Sequence, residues 1–138
     1  MTLDRRSFIK VLGSASGLAL AGCASQGPVG STTEIMPKGA TRRVVVVGGG
    51  FGGAIAAKYV RMLDKSIEVV LIEQNRQFIS CPFSNFYIAG LMNDMSTLTI
   101  GYDKLAANHG IKMVYGVATA IDPAAKKVVT TEGTLTYD

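Results

Sequence analysis

Val44-Val45-Val46-Val47-Gly48-Gly49-Gly50-Phe51-Gly52-Gly53 decides how the rest of the chain is read. Four β-branched residues in succession suit a strand buried on both faces, as in a parallel sheet covered by helices. The strand runs directly into Gly-x-Gly-x-x-Gly, formed by Gly48, Gly50 and Gly53. Each glycine has a steric task in a dinucleotide-binding turn: Gly48 permits the tight bend, Gly50 lets backbone approach a pyrophosphate, and Gly53 allows a helix to pack closely on the strand. A phosphate held there faces the free N–H groups and the positive dipole end of the following helix, so Phe51 and Gly52 belong to the same turn.

The residues downstream supply the context that a glycine pattern alone lacks. Ala54 to Leu63 is expected to be the helix, with small residues facing the strand, and Ile67 to Ile72 a second strand ending in Glu73. That acid stands 25 residues after Gly48, where it can accept hydrogen bonds from a ribose diol and would repel a 2′-phosphate, which disfavours NADP. Residue chemistry leaves FAD and NAD both open at this point. Further on, Tyr102 to Asn108 is expected as a short helix with Gly110 as its left-handed stop. Lys112 to Tyr115 and Val117 to Ile121 are expected as strands, Asp122-Pro123-Ala124-Ala125 as a turn, and Val128 to Thr131 with Thr134 to Tyr137 as a hairpin around Glu132-Gly133. The expected fold is α/β: a Rossmann-like unit over 42–138 with a parallel sheet and an added β-hairpin or meander.

Upstream the chain is of another kind. Asp4-Arg5-Arg6-Ser7-Phe8-Ile9-Lys10 matches a twin-arginine export pattern, and Val11 to Gly22 is apolar and rich in Ala, Gly and Leu. That run is about 12 residues where a bilayer span needs about 20, so residues 1–23 read as a signal peptide rather than a permanent membrane helix. Leu20-Ala21-Gly22-Cys23 also resembles a lipoprotein box, which would make Cys23 a lipid anchor; cleavage near Ala24 is the rival. Residues 24–41, with Ser, Gly, Thr, Pro28 and Pro37, read as a flexible tether. Export in the folded state, commonly after a cofactor has been inserted, points to a periplasmic protein with a tightly held group. This favours FAD over a freely exchanging nicotinamide.

The formal charge of +4 does not indicate an acidic partner. Arg5, Arg6 and Lys10 against Asp4 put half of it in the leader, and no basic stripe interleaved with aromatics appears elsewhere, which argues against nucleic acid. Arg42-Arg43 is only a short pair before a strand. Two cysteines, Cys23 and Cys81, are too few and too far apart for a zinc site or a disulfide scaffold, so no metal is expected. His109, the only histidine, reads as a solvated helix cap, and Tyr87, Tyr102 and Tyr115 as half-buried packing residues rather than flavin partners.

Cys81 lies eight residues beyond Glu73, preceded by Gln74-Asn75-Arg76-Gln77-Phe78-Ile79-Ser80 and followed by Pro82. At about 3.3 Å per residue the extended chain spans roughly 26 Å, enough to carry the thiol from a bound ribose to an isoalloxazine ring. Pro82 biases Cys81 towards extended backbone. The thiol can be a flavin attachment point, half of a redox pair or a plain structural group.

Several stretches together resemble the flavoprotein subunit of flavocytochrome c sulfide dehydrogenase, within the wider pyridine nucleotide-disulfide oxidoreductases. They are VVVVGGGFGGAIAAKYVRMLDKSIEVVLIEQN (Val44–Asn75), Cys81 before Pro82 with Ser84-Asn85, Gly101-Tyr102-Asp103, Gly110-Ile111 and Ala120-Ile121-Asp122-Pro123. Pro82-Phe83 depart modestly from that family's pattern. The resemblance implies FAD bound at Gly48, Gly50, Phe51, Gly52, Gly53 and Glu73, covalent attachment through Cys81, and backbone near Val117 touching the adenine. It implies sulfide as substrate, a c-type cytochrome subunit as partner, and a second nucleotide domain with redox cysteines beyond Asp138. Sulfide:quinone oxidoreductases, and flavin-binding electron-transfer modules without sulfide chemistry, are the alternatives.

Overall fold

The computed structural model describes residues 33–39 and 41–138. The twin-arginine leader, Cys23 and the first part of the tether lie outside the described residues. Strand β1 is Arg43–Val47 and helix α1 is Phe51–Leu63, followed by β2, Glu68–Glu73. Next come β3 (Gln77–Ile79), α2 (Ser84–Ile88), β4 (Thr99–Gly101) and α3 (Asp103–His109). Strands β5 (Lys112–Tyr115), β6 (Ala118–Asp122), β7 (Lys127–Thr130) and β8 (Gly133–Thr136) complete the order.

Strands β1, β2 and β5 form a parallel sheet in that order, with Val44 opposite Val69 and Ile72 opposite Val114. Parallel strands need crossovers that cover both faces, and two apolar layers do so. On one face Ala57, Val69, Leu71, Tyr102 and Ile111 pack together beneath α1 and α3. On the other, Val70, Ile72 and Val114 meet Val128 and Leu135 from the antiparallel meander β6-β7-β8. The unbroken apolar run of β2 follows from this: Val69, Val70, Leu71 and Ile72 alternate between the two layers and are all buried.

The Rossmann-like α/β expectation holds, with boundaries shifted by physical detail. Helix α1 starts on the glycines, not at Ala54, because Ala54 N–H already donates to Gly50 O at 2.9 Å. Ile67 belongs to the turn before β2, where its N–H donates to Asp64 O. Tyr102 is the residue before α3 and not part of it, and Gly110 ends the helix at φ 63° as expected. The meander strands begin or end about one residue from the expected positions.

Two features depart further from the reading of the sequence. Strands β3 and β4, each three residues long, pair antiparallel across a long insertion, with Phe78 opposite Ile100. The stretch expected as free tether is laid along β8 over its last part: Ile35 N–H donates to Thr134 O, Glu34 accepts from Thr136 N–H, and Lys38 pairs with Asp138.

Arg43 explains that arrangement. It is fully buried, with its guanidinium paired to Glu68 and Glu34 and donating to Met36 O, Pro37 O and Thr136 O. A buried charge is tolerated only when every donor is satisfied, and satisfying this one draws residues 34–37 onto the sheet. The same edge carries Asp138, whose N–H donates to Arg43 O at 3.1 Å and whose Oδ2 accepts Arg43 N–H at 2.7 Å.

Candidate functional site

The carboxyl ends of β1 and β2 open into a groove of about 220 Å³ lined by Val47, Gly48, Ile72, Glu73, Gln74, Gly116, Val117 and Ala118. Crevices of this kind, outside the strand ends of an open α/β sheet, are where nucleotides bind. Gly48 forms the floor with φ 94°, a conformation that a side chain would strain. Five residues on, a Cβ at Gly53 would fall far inside contact distance of the Gly48 carbonyl oxygen and 3.0 Å from its carbon. Strand and helix therefore touch backbone to backbone at this corner.

Because the first intrahelical bond is Ala54 to Gly50, the N–H groups of Phe51, Gly52 and Gly53 have no acceptor within α1. They form the set of donors that an anion at the turn would need. Phe51 packs its ring edge-on against Phe78 of β3, centroids 4.9 Å apart, which fixes the ribbon β3–β4 beside the turn.

Glu73 ends β2 with its carboxylate bent back under the turn. Its Oε2 accepts Gly49 N–H at 2.6 Å and its Oε1 accepts Asn75 N–H at 3.0 Å. Burial pushes its carboxyl up, but hydrogen bonds from the Gly49, Asn75 and Gln74 backbone and the Asn75 side chain more than offset this and hold it below the ordinary glutamate range. Glu73 is thus ionised at neutral pH; Oε1 also accepts Asn75 Nδ2 at 3.4 Å, so the lone pair left for a further donor is on Oε2. Its first duty, which its position in the sequence did not reveal, is to hold Gly49.

Val117 stands at the mouth of the groove, half-exposed, but its backbone is occupied: its N–H donates to Thr131 Oγ1 at 3.1 Å and its carbonyl accepts Thr131 N–H at 3.0 Å. What Val117 leaves open towards the groove is its side chain and the second lone pair of its carbonyl. Cys81 is exposed and has no disulfide partner among the described residues. It opens a turn closed by Ser84 N–H donating to Cys81 O at 3.0 Å, with Pro82 and then Phe83 at φ 69° in the middle. This is the geometry of a type II turn, in which the third position ordinarily belongs to glycine.

His109 is the last residue of α3 and partly buried, and its carbonyl accepts from Arg61 Nε at 3.2 Å. Arg76 lies over the Tyr115 ring at 4.5 Å. Tyr102 was expected to be half-buried. It is buried, with its hydroxyl donating to Gly49 O at 3.0 Å. A tyrosine some fifty positions from a glycine turn carries no sequence signal for that contact.

The fold and groove define a dinucleotide-binding unit of the two-layer-covered parallel type. Residues 42–138 match the pyridine nucleotide-disulphide oxidoreductase family, and the chain belongs to it. More particularly, it is 67% identical over 45 residues to a sulfide dehydrogenase (flavocytochrome c) flavoprotein chain of Chlorobaculum thiosulfatiphilum, an alignment covering 33% of this chain and 94% of that sequence. Among solved structures it is similar to the sulfide:quinone oxidoreductase of Aquifex aeolicus, with a TM-score of 0.65 and 28% identity over 71% of this chain and 23% of that one. It is also similar to an NAD-dependent persulfide reductase from A. fulgidus, with a TM-score of 0.63 and 25% identity over 70% of this chain and 20% of that one. The chain therefore spans about a quarter or less of the length of these solved relatives. Membership of the family, with flavoproteins among the relatives, implies FAD, and the glycine corner, the orphan N–H groups and the ionised Glu73 fit a dinucleotide.

Proposed function

We propose that this chain is the FAD-holding part of a periplasmic sulfide dehydrogenase that passes electrons from sulfide through FAD to a c-type cytochrome. The observation that carries the reading is the 67% identity to the flavoprotein chain of such an enzyme, over a third of this chain. The groove is of the kind the reading requires. When bound, FAD supplies an acceptor for an electron pair that can leave one electron at a time.

The chain's own residues bind and orient. The N–H groups of Gly50, Phe51, Gly52 and Gly53 receive the pyrophosphate, and the open lone pair on Glu73 Oε2 receives a ribose hydroxyl. Val117 borders the adenine. Cys81, exposed on the turn after β3, is the attachment point for the flavin ring. A thioether there would prevent loss of the cofactor outside the cytoplasm, where none is resupplied, and would raise the flavin potential. The twin-arginine motif at Arg5-Arg6 supports export after FAD insertion. Lipidation at Cys23 would add a membrane anchor.

A second reading, a sulfide:quinone oxidoreductase, is favoured by the likeness to the Aquifex aeolicus enzyme. The full-length protein, mixed anaerobically with sulfide, tests both. Bleaching of the flavin absorbance followed by reoxidation with cytochrome c supports the dehydrogenase, reoxidation only by a quinone supports the second reading, and no bleaching refutes both.

A further inference from the structure

The dinucleotide pattern accounts for Gly48, Gly50 and Gly53 and leaves Gly49 without a reason. Gly49 is buried and does not adopt a left-handed backbone. The structure supplies the reason from elsewhere in the chain. A Cβ at position 49 would lie 2.6 Å from the Tyr102 hydroxyl oxygen and 2.8 Å from both Cε1 and Cζ of its ring. The phenol therefore rests directly on the Gly49 backbone, and glycine is the residue that lets it do so.

This contact sets the direction of a peptide group. Tyr102 donates to Gly49 O at 3.0 Å. In a planar trans peptide the N–H points opposite to the C=O, so holding Gly49 O towards Tyr102 turns Gly50 N–H away from the ring. On the preceding peptide, Glu73 Oε2 takes Gly49 N–H at 2.6 Å. The two peptide planes flanking Gly49 are thus gripped from two separate elements, the end of β2 and the residue before α3. Tyr102 is itself held by the layer of Ala57, Val69, Leu71 and Ile111.

We infer that Tyr102 is a positioning residue for the pyrophosphate of the bound dinucleotide, acting through the Gly49–Gly50 peptide to aim Gly50 N–H at the anion. The inference rests on the FAD reading above, and it assigns a polar task to a side chain whose sequence context reads as packing. Burial, followed by the nearby Glu73 carboxylate and Tyr115, pushes the phenol above its ordinary pKa, so it stays a donor at any physiological pH.

The test uses the full-length protein carrying Cys81→Ala, so that flavin is exchangeable whatever the native thiol does, and measures binding of FAD, ADP and adenosine by calorimetric titration or displacement. Tyr102→Phe removes one oxygen and keeps the ring. It is expected to raise the Kd for ADP and FAD about fivefold, the effect of one hydrogen bond, while the Kd for adenosine changes less than about twofold. Gly49→Ala, which pushes the ring off the turn, is expected to give the same phosphate-selective loss and serves if Tyr102→Phe folds poorly. Equal loss for ADP and adenosine would show a merely structural role and overturn the inference, as would unchanged ADP binding in both variants. A Cys81→Ala parent that binds neither FAD nor ADP would instead overturn the FAD reading, and Tyr102's role with it.

Discussion

Two neighbouring glycines in the same turn should respond oppositely to the same methyl group. At Gly53 a Cβ overlaps the Gly48 carbonyl oxygen, and Gly48 sits at φ 94° with its N–H already donated to Ile72 O at 2.8 Å, so that carbonyl is held from both sides. Relief of more than about 1 Å of overlap requires α1 to retreat from β1, opening the layer around Ala57, and overpacking of this severity costs about 3 kcal/mol. At Gly52 nothing lies within 4 Å of the added carbon, and replacing a helical glycine with alanine gains up to about 1 kcal/mol. For a unit of roughly 100 residues each kcal/mol moves the thermal midpoint by about 4 to 8 °C. Gly53→Ala should therefore lower the midpoint by about 12 to 24 °C, and Gly52→Ala should leave it unchanged or raise it by up to about 8 °C. Circular dichroism melts of the flavin-free proteins read both. A Gly53→Ala midpoint within a few degrees of the parent would refute the backbone contact on which the turn is built.

Arg43→Met should destabilise the chain by about 3 to 5 kcal/mol in urea titration, because it strands the nearly buried Glu68 without its guanidinium and releases residues 34–37. Burial pushes Glu68 up, but Lys112 and Arg43 more than offset it, so its folded pKa lies below the ordinary value and the unfolded chain binds the proton more readily. Stability from this group is therefore complete above the ordinary glutamate pKa of about 4.3 and lost as pH falls through the folded value, and Glu68→Gln should flatten the acid limb of a stability-against-pH curve. Phe83→Gly should raise stability by about 1 kcal/mol by relieving its left-handed backbone, since the side chain is 65% exposed; a lower urea midpoint would contradict the turn assignment.

The part of the fold that was legible in the sequence is the part specified by local pattern. Val44 to Val47, the glycine turn, α1 and β2 are each written in consecutive residues, and Gly110 announces its own helix end. What escaped depends on partners distant in the chain. Strands β3 and β4 are three residues each and exist through pairing with one another across some twenty residues, so neither shows a periodicity of its own. Residues 34–36 lie against β8, bridged at Glu34 to Thr134, because β8 and Arg43 offer them partners, while their composition suggests a tether. In the sequence Arg43 is only half of a short basic pair before a strand; its role appears when Glu34 and Glu68 are brought to it. Within the candidate site, Gly48, Gly53 and Glu73 stand where the spacing placed them. The hold of Glu73 on Gly49, the engagement of the Val117 backbone by Thr131, and the seat of Tyr102 on the turn are tertiary facts with no sequence counterpart.

That this chain carries FAD at the glycine turn with Cys81 as its attachment point is our proposal, and one measurement tests it directly. It is made on the full-length protein purified with its cofactor: acid precipitation, washing, and absorbance of the pellet and of its Cys81-containing peptide. Flavin is expected to stay with that peptide and to be released by Cys81→Ala. Flavin recovered wholly in the supernatant from the unaltered protein would contradict the attachment, and a folded protein with no flavin in either fraction would contradict the claim itself.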